Sequence, residues 1–192
     1  MKIVFATNNQ NKIKEVQAQL PEDIQIISLK EIECFEDIPE TQNTIEGNAL
    51  QKANYVYDNY GVACFADDTG LEVTELNGEP GVFSARYAGP EKDAEKNMQK
   101  LLKGLSNHRD RSAQFKTVIA LVGINETQTF EGICKGNITN KKQGDKGFGY
   151  DPIFQPNGFE KTFAQMSIEL KNQIGHRGKA VKQLIDFLGK IN

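Results

Sequence analysis

Residues 62–73 read VACFADDTGLEV, and the fold turns on where the strand inside that stretch ends. The run 62–66 is apolar and suited to a strand, whereas Asp67, Asp68, Thr69 and Gly70 are turn formers. The spacing therefore predicts a strand over 62–66 that leaves the sheet at Asp67, followed by a short extended piece, Leu71-Glu72-Val73. Two adjacent carboxylates at such an exit allow two readings. They mark a solvated turn, or they are presented beyond the carboxyl end of a strand, on the ligand side of an open α/β sheet. If extended geometry persists, successive side chains face opposite ways, so the pair need not share one task.

The flanking segments set the class. Upstream, residues 2–7 (KIVFAT) form a β-rich run, and Ile13, Val16 and Leu20 then mark one helical face ended by Pro21. A second strand is expected at 24–29, followed by the acidic loop ECFEDIPE and a longer helix from Thr44 that closes at Gly61. Downstream come a turn-rich segment, a helix over 91–105 and a hairpin formed by 113–123 and 127–138. The chain ends in two helical pieces, near 167–174 and from Arg177, whose buried stripe is Ala180, Val181, Leu184, Ile185 and Leu188. Alternation followed by a hairpin predicts an α/β fold with a mixed sheet, in a single domain over 1–192.

Composition narrows the function. With 192 residues, 38% hydrophobic and 26% charged, the chain has a globular makeup and enough length for a real core. No apolar run reaches membrane-spanning length, and MKIVFAT is too short for a cleavable signal, so a cytoplasmic location without membrane contact is expected. A net charge of −3 argues against a nucleic-acid-binding face. Cys34, Cys64 and Cys134 show no paired spacing and read as reduced thiols.

Four stretches can carry chemistry. The strand-to-helix turn of Thr7, Asn8, Asn9, Gln10, Asn11 and Lys12 suits an anion, with Lys12 as a point charge, although an Asn-rich turn also serves as a plain helix cap. A carboxylate of the Asp67-Asp68 pair can hold a hard cation such as Mg²⁺ or take a proton from water, with Glu40 as a second oxygen donor. Phe148 lies between Gly147 and Gly149, which lets a flat ligand approach its ring, as a glycine-rich turn around a core phenylalanine also would. Lys171, His176 and Arg177 cluster where the last helix begins. Walker A, G-x-S-x-G and H-E-x-x-H patterns are absent, and a D-x-D phosphatase would need a different aspartate spacing.

That order of motifs resembles the inosine triphosphate pyrophosphatase family, which acts on non-canonical purine triphosphates. The resemblance runs through FATNNQNK, ETQNTIEGNALQKA, FADDTGLEV, GEPGVFSARYAG, KGFGYDPIF and KNQIGHRG, essentially the whole chain. It implies a long mixed sheet with flanking helices, two lobes about a substrate cleft, a homodimer, and Mg²⁺-dependent hydrolysis of ITP, dITP and XTP to monophosphate and pyrophosphate. By the same resemblance Asp68 is the proton acceptor and a metal ligand, with Asp67 and Glu40 as companions at the metal. Thr7 to Lys12 match the phosphate-contacting turn and Thr69 a substrate contact. Phe148, Gly149, Tyr150 and Asp151 match the base-binding segment, and Lys171, His176 and Arg177 the closing contacts. Asn8 stands where the family usually has glycine, and Gly175 replaces a serine. Arg177, which has only donors, is expected to favour the 6-keto group of hypoxanthine and xanthine over adenine's amino group. A related pyrophosphatase of other base preference and a non-catalytic nucleotide-binding module remain as alternatives.

Overall fold

The computed structural model describes residues 1–191. Among these the strands are β1 (Lys2–Phe5), β2 (Gln25–Ile27), β3 (Cys64–Val73), β4 (Pro80–Gly81), β5 (Ser112–Val122), β6 (Gln128–Ile138) and β7 (Phe154–Pro156). The helices are α1 (Gln10–Gln17), α2 (Ile45–Tyr60), α3 (Ala94–Gly104), α4 (Ile168–Ile174) and α5 (His176–Ile191). The strands form one sheet in the order β2-β1-β3-β5-β6-β7, with β4 on β3. β1 is parallel to β2 and β3, while β3/β4 and β6/β7 are antiparallel, so the sheet is mixed as the pattern of elements predicts.

The predicted end of the strand at Ala66 is wrong. β3 runs without a break through Asp67, Asp68, Thr69 and Gly70 to Val73. Its parallel neighbour β1 stops first, with Phe5 opposite Phe65. The two aspartates therefore lie past the end of β1 but inside β3. Turn chemistry loses because counter-charges distant in sequence partner the carboxylates within the sheet, and because the Leu71 N–H is satisfied by Ser84 Oγ at 2.8 Å.

The chain divides into two compact units. The first comprises Met1–Asp68, Thr117–Gly132 and the residues from Arg177 onward. Its core sets Val16 of α1 and Val181 and Leu184 of α5 with Phe5, Phe65 and Ile119. Phe5 and Phe65 stack at 4.5 Å and 12° across the β1/β3 register, a contact that adds about 0.5–1.5 kcal/mol to their burial. α2 begins where Thr44 Oγ1 accepts the Gly47 N–H at 2.9 Å and ends at Gly61, whose φ of 64° is the left-handed cap glycine favours.

The second unit comprises Thr69–Lys116 and Ile133–His176. α3, capped by Asp93, lays Met98 and Leu101 on Leu71 and Val73 of β3. Phe115, Phe154 and Phe163 form an aromatic group with centroid separations of 4.7 Å (115/154), 5.1 Å (154/163) and 6.1 Å (115/163).

The three cysteines are free and buried, as expected. No helix among the described residues is long and apolar enough to cross a membrane.

Candidate active site

In the first unit, charges from β3, α1, α2 and α5 converge. Because β3 stays extended, Asp67 and Asp68 meet different surroundings. Asp67 is fully buried: Lys12 Nζ donates to its Oδ1 at 2.9 Å and Arg177 Nε to its Oδ2 at 3.0 Å. Arg177 Nη1 also donates to Glu15 Oε2. Burial alone would raise the Asp67 carboxyl, but Lys12, Arg177 and Lys52 outweigh it and hold its pKa well below the ordinary carboxylate value.

Asp68 is different. Its Oδ2 accepts from Asn48 Nδ2 at 3.3 Å, and its Oδ1 lies 3.8 Å from Lys52 Nζ. Burial pushes its pKa up against the opposing pull of Lys52 and Lys12. Two neighbours in sequence are thus driven apart in acidity, the signature of carboxylates with separate roles. Lys52 also donates to Glu40 Oε1 at 2.5 Å and to the Asp67 carbonyl at 2.8 Å. Burial would lower the Lys52 pKa, yet Asp68, Glu40 and Asp67 raise it above normal, so this lysine is a fixed cation between two carboxylates.

The oxygen donors of Asp68 and Glu40 suit a hard divalent cation. No group of three His, Cys, Asp or Glu side chains among the described residues can hold a metal. Asp67, expected as a third companion, instead has both carboxylate oxygens bonded to cationic side chains.

The turn before α1 is a cap as well as a loop. Asn9 Oδ1 accepts from the N–H groups of Asn11 (3.0 Å) and Lys12 (3.3 Å), and the Asn9 N–H donates to Thr7 Oγ1 at 3.2 Å. Gln10, Asn11 and Lys12 already belong to the first helical turn. Asn8 is not among the residues with positive φ, so this turn does not need the glycine the family usually has there.

The second unit carries the aromatic segment. Asp151 Oδ2 accepts from the Phe148 N–H at 2.8 Å and from Lys171 Nζ at 2.6 Å, and the Lys171 ammonium lies 4.9 Å from the centroid of Phe148. A Cβ on Gly147 (φ 71°) would fall 2.0 Å from Asp151 Oδ2, so the turn closes on that carboxylate only with glycine. Gly149 also has a positive φ, 62°. Tyr150 is buried and donates its hydroxyl to the Ser84 carbonyl at 2.8 Å, which makes it the anchor of the segment. The buried ring of His176 stacks on Phe115 at 4.5 Å and 17°. Thr69 is half-buried, directly after Asp68 in β3.

Gly175 ends α4, and its N–H donates to the Lys171 carbonyl at 2.7 Å. A Cβ there would stand 2.5 Å from that same carbonyl, a backbone atom that cannot swing aside. A side chain at 175 would therefore crowd this junction. Gly175→Ala is expected to destabilise the protein by about 1–3 kcal/mol through overpacking, read as a lower Tm. An unchanged Tm would mean that the α4/α5 junction relaxes freely.

Sequence reasoning missed Glu15, Asn48 and Lys52. The last two sit four residues apart on the α2 face that also buries Ile45, Ala49, Ala53 and Val56. A polar pair interrupting an apolar stripe was the available sign. Arg177, expected to read the base, has Nε and Nη1 directed at Asp67 and Glu15.

Comparison with known proteins agrees along the whole chain. The chain is 64% identical over 98% of both chains to a dITP/XTP pyrophosphatase of Flavobacterium johnsoniae. It is 62% identical to a protein of the same description from Flavobacterium psychrophilum, over 97% of this chain and 98% of that one. Its structure matches that of the Staphylococcus aureus Ham1 protein with a TM-score of 0.91 and 44% identity, covering 100% of each chain. The Ham1 family model matches residues 3–187. The chain therefore belongs to the Ham1 family.

Proposed function

We propose that this chain is a nucleoside-triphosphate pyrophosphatase that hydrolyses ITP, dITP and XTP to monophosphate and pyrophosphate with Mg²⁺. The observation that carries the chemistry is the divided aspartate pair: Asp67 neutralised by Lys12 and Arg177, Asp68 raised in pKa beside Asn48, Lys52 and Glu40. The purine preference is supported by the relatives named dITP/XTP pyrophosphatase.

Asp68 and Glu40 are the residues that would hold Mg²⁺, which when bound neutralises phosphate charge and acidifies water. The Asn48 amide aims the Asp68 carboxylate, and Asp68 takes a proton from the attacking water. The water oxygen joins phosphorus as the α–β anhydride bond breaks and pyrophosphate leaves. Lys12, Lys52 and the turn from Thr7 to Asn11 supply donors to the phosphates, while Asp67 anchors Lys12 and Arg177. Phe148 offers a stacking face for the base, and Lys171, locked by Asp151, offers a donor to a 6-keto oxygen. His176 and Thr69 complete the substrate contacts. Adenine presents an amino donor instead and leaves the lysine unmatched, a penalty of about 1–3 kcal/mol.

The test is pyrophosphate release from ITP, dITP, XTP, ATP, GTP and UTP with and without Mg²⁺. ITP and XTP should exceed ATP by about 10- to 100-fold in kcat/KM, and only with the metal. Equal turnover of ATP and ITP would remove the base-reading role, and turnover without a divalent cation would remove the metal. The chain acts as a homodimer in the cytoplasm, as the family resemblance implies. A monomer mass in sedimentation velocity would count against the first part.

A further inference from the structure

The acidic segment that carries Glu40 is strapped to α2 by side chains outside the reacting groups. Four residues before Glu40, Glu36 Oε1 accepts from the hydroxyls of Tyr55 (3.0 Å) and Tyr60 (2.6 Å). Directly after it, Thr41 and Gln51 bond reciprocally: the Thr41 N–H donates to Gln51 Oε1 at 2.9 Å, and Gln51 Nε2 donates to Thr41 Oγ1 at 2.9 Å. One residue on, the Gln42 N–H donates to Asn48 Oδ1 at 2.9 Å. Asn48, Gln51, Lys52 and Tyr55 recur at the spacing of one helical face, beneath a segment with no strand or helix of its own from 37 to 42.

We propose that Gln51 is a positioning residue for divalent-cation binding: its two-point clamp on Thr41 fixes the backbone beside Glu40, so that the Glu40 carboxylate is already in place when the cation arrives. The inference rests on Glu40 being a ligand of that cation. The clamp has a defined sense, since only the amide oxygen can accept the Thr41 N–H and only the amide nitrogen can donate to its hydroxyl. Lys52 holds the carboxylate end of Glu40 and Gln51 holds its backbone end, both from the same helix. Without Gln51 the backbone directly beside Glu40 loses both bonds of the Thr41 clamp, and a cation must order that part of the segment as it binds. Groups that orient ligand side chains commonly change metal affinity by about 10- to 100-fold when removed.

The experiment titrates Mn²⁺ alone, without nucleotide, and reads free Mn²⁺ by electron paramagnetic resonance. The proteins are wild type, Gln51→Leu, Thr41→Val, Thr41→Ser and Glu40→Gln. Gln51→Leu should weaken Mn²⁺ by about tenfold, Thr41→Val by less, and Thr41→Ser not at all because it keeps the hydroxyl. In assays the Mg²⁺ concentration for half-maximal rate should rise in Gln51→Leu, with kcat at saturating Mg²⁺ and the KM for nucleotide unchanged. If Glu40→Gln weakens Mn²⁺ but Gln51→Leu binds it like wild type, the positioning role is overturned, and a lowered Tm with unchanged Mn²⁺ affinity overturns it equally. If Glu40→Gln itself binds Mn²⁺ like wild type, Glu40 is not a ligand, and the metal assignment beneath the inference falls with it.

Discussion

Asp68→Asn is expected to lower kcat for ITP by about 10³-fold or more, because one substitution removes both a proton acceptor and a metal ligand. The fold should survive, since Asn48 can still donate to an amide oxygen at position 68 and Lys52 keeps Glu40. Indeed the neutral side chain should make the metal-free protein slightly more stable. The Asp68 pKa is raised, so its ionised form disfavours folding at neutral pH, and that cost is relieved as pH falls through the raised value. A stable but inactive enzyme is the expected result, measured by pyrophosphate release and chemical denaturation. Turnover within threefold of wild type at saturating Mg²⁺ would sink the assignment.

Asp67→Ala should behave in the opposite way, with stability as the first casualty. Arg177 would be left with one carboxylate fewer in a buried site, and Lys12, whose pKa burial already lowers, would lose the carboxylate that holds it up; breaking such pairs costs about 3–5 kcal/mol. For a chain of this size each kcal/mol lowers Tm by about 2–4 °C. Acid should reproduce part of the loss in the wild type. The folded Asp67 pKa lies below its unfolded value, so its contribution is complete above about pH 4 and is lost as pH falls further. A denaturation series from pH 7 to pH 2 on wild type and Asp67→Ala would show the two stabilities converging in acid. A variant that melts with wild type at pH 7 would show that Lys12 and Arg177 find other partners at little cost.

Much of the fold was legible because its signals are local. The apolar positions Ile45, Leu50, Ala53, Val56, Tyr57 and Tyr60 with Gly61 behind them specified α2, and the two long β-rich runs specified β5 and β6 to within a residue or so. β3 was misjudged because its decisive partners are remote. Lys12 and Arg177 lie 55 and 110 residues from Asp67, and no local pattern announces that a strand can carry charge through a buried sheet. The motif order named Asp68, Glu40, Lys12 and the 148–151 segment as chemistry-bearing. It did not single out Lys52, since a lysine on a helix ordinarily reads as part of a solvated face and only its place in the apolar stripe of α2 sets it apart. The carboxylates that take two of the Arg177 donors are hidden from a local reading in the same way, because they are remote in sequence.

The alternating series Glu15, Arg177, Asp67, Lys12 also constrains how such a protein can drift. Each inner member answers two neighbours of opposite sign, so replacing Asp67 or Arg177 deprives two charged side chains of a partner at once, whereas loss of an end member leaves its neighbour one counter-charge. Lineages descending from this sequence can retain the inner pair or exchange it in concert. A solitary charge-removing substitution at Asp67 or Arg177 along the way would lower stability, which makes these two positions a coupled pair in descent rather than independent sites.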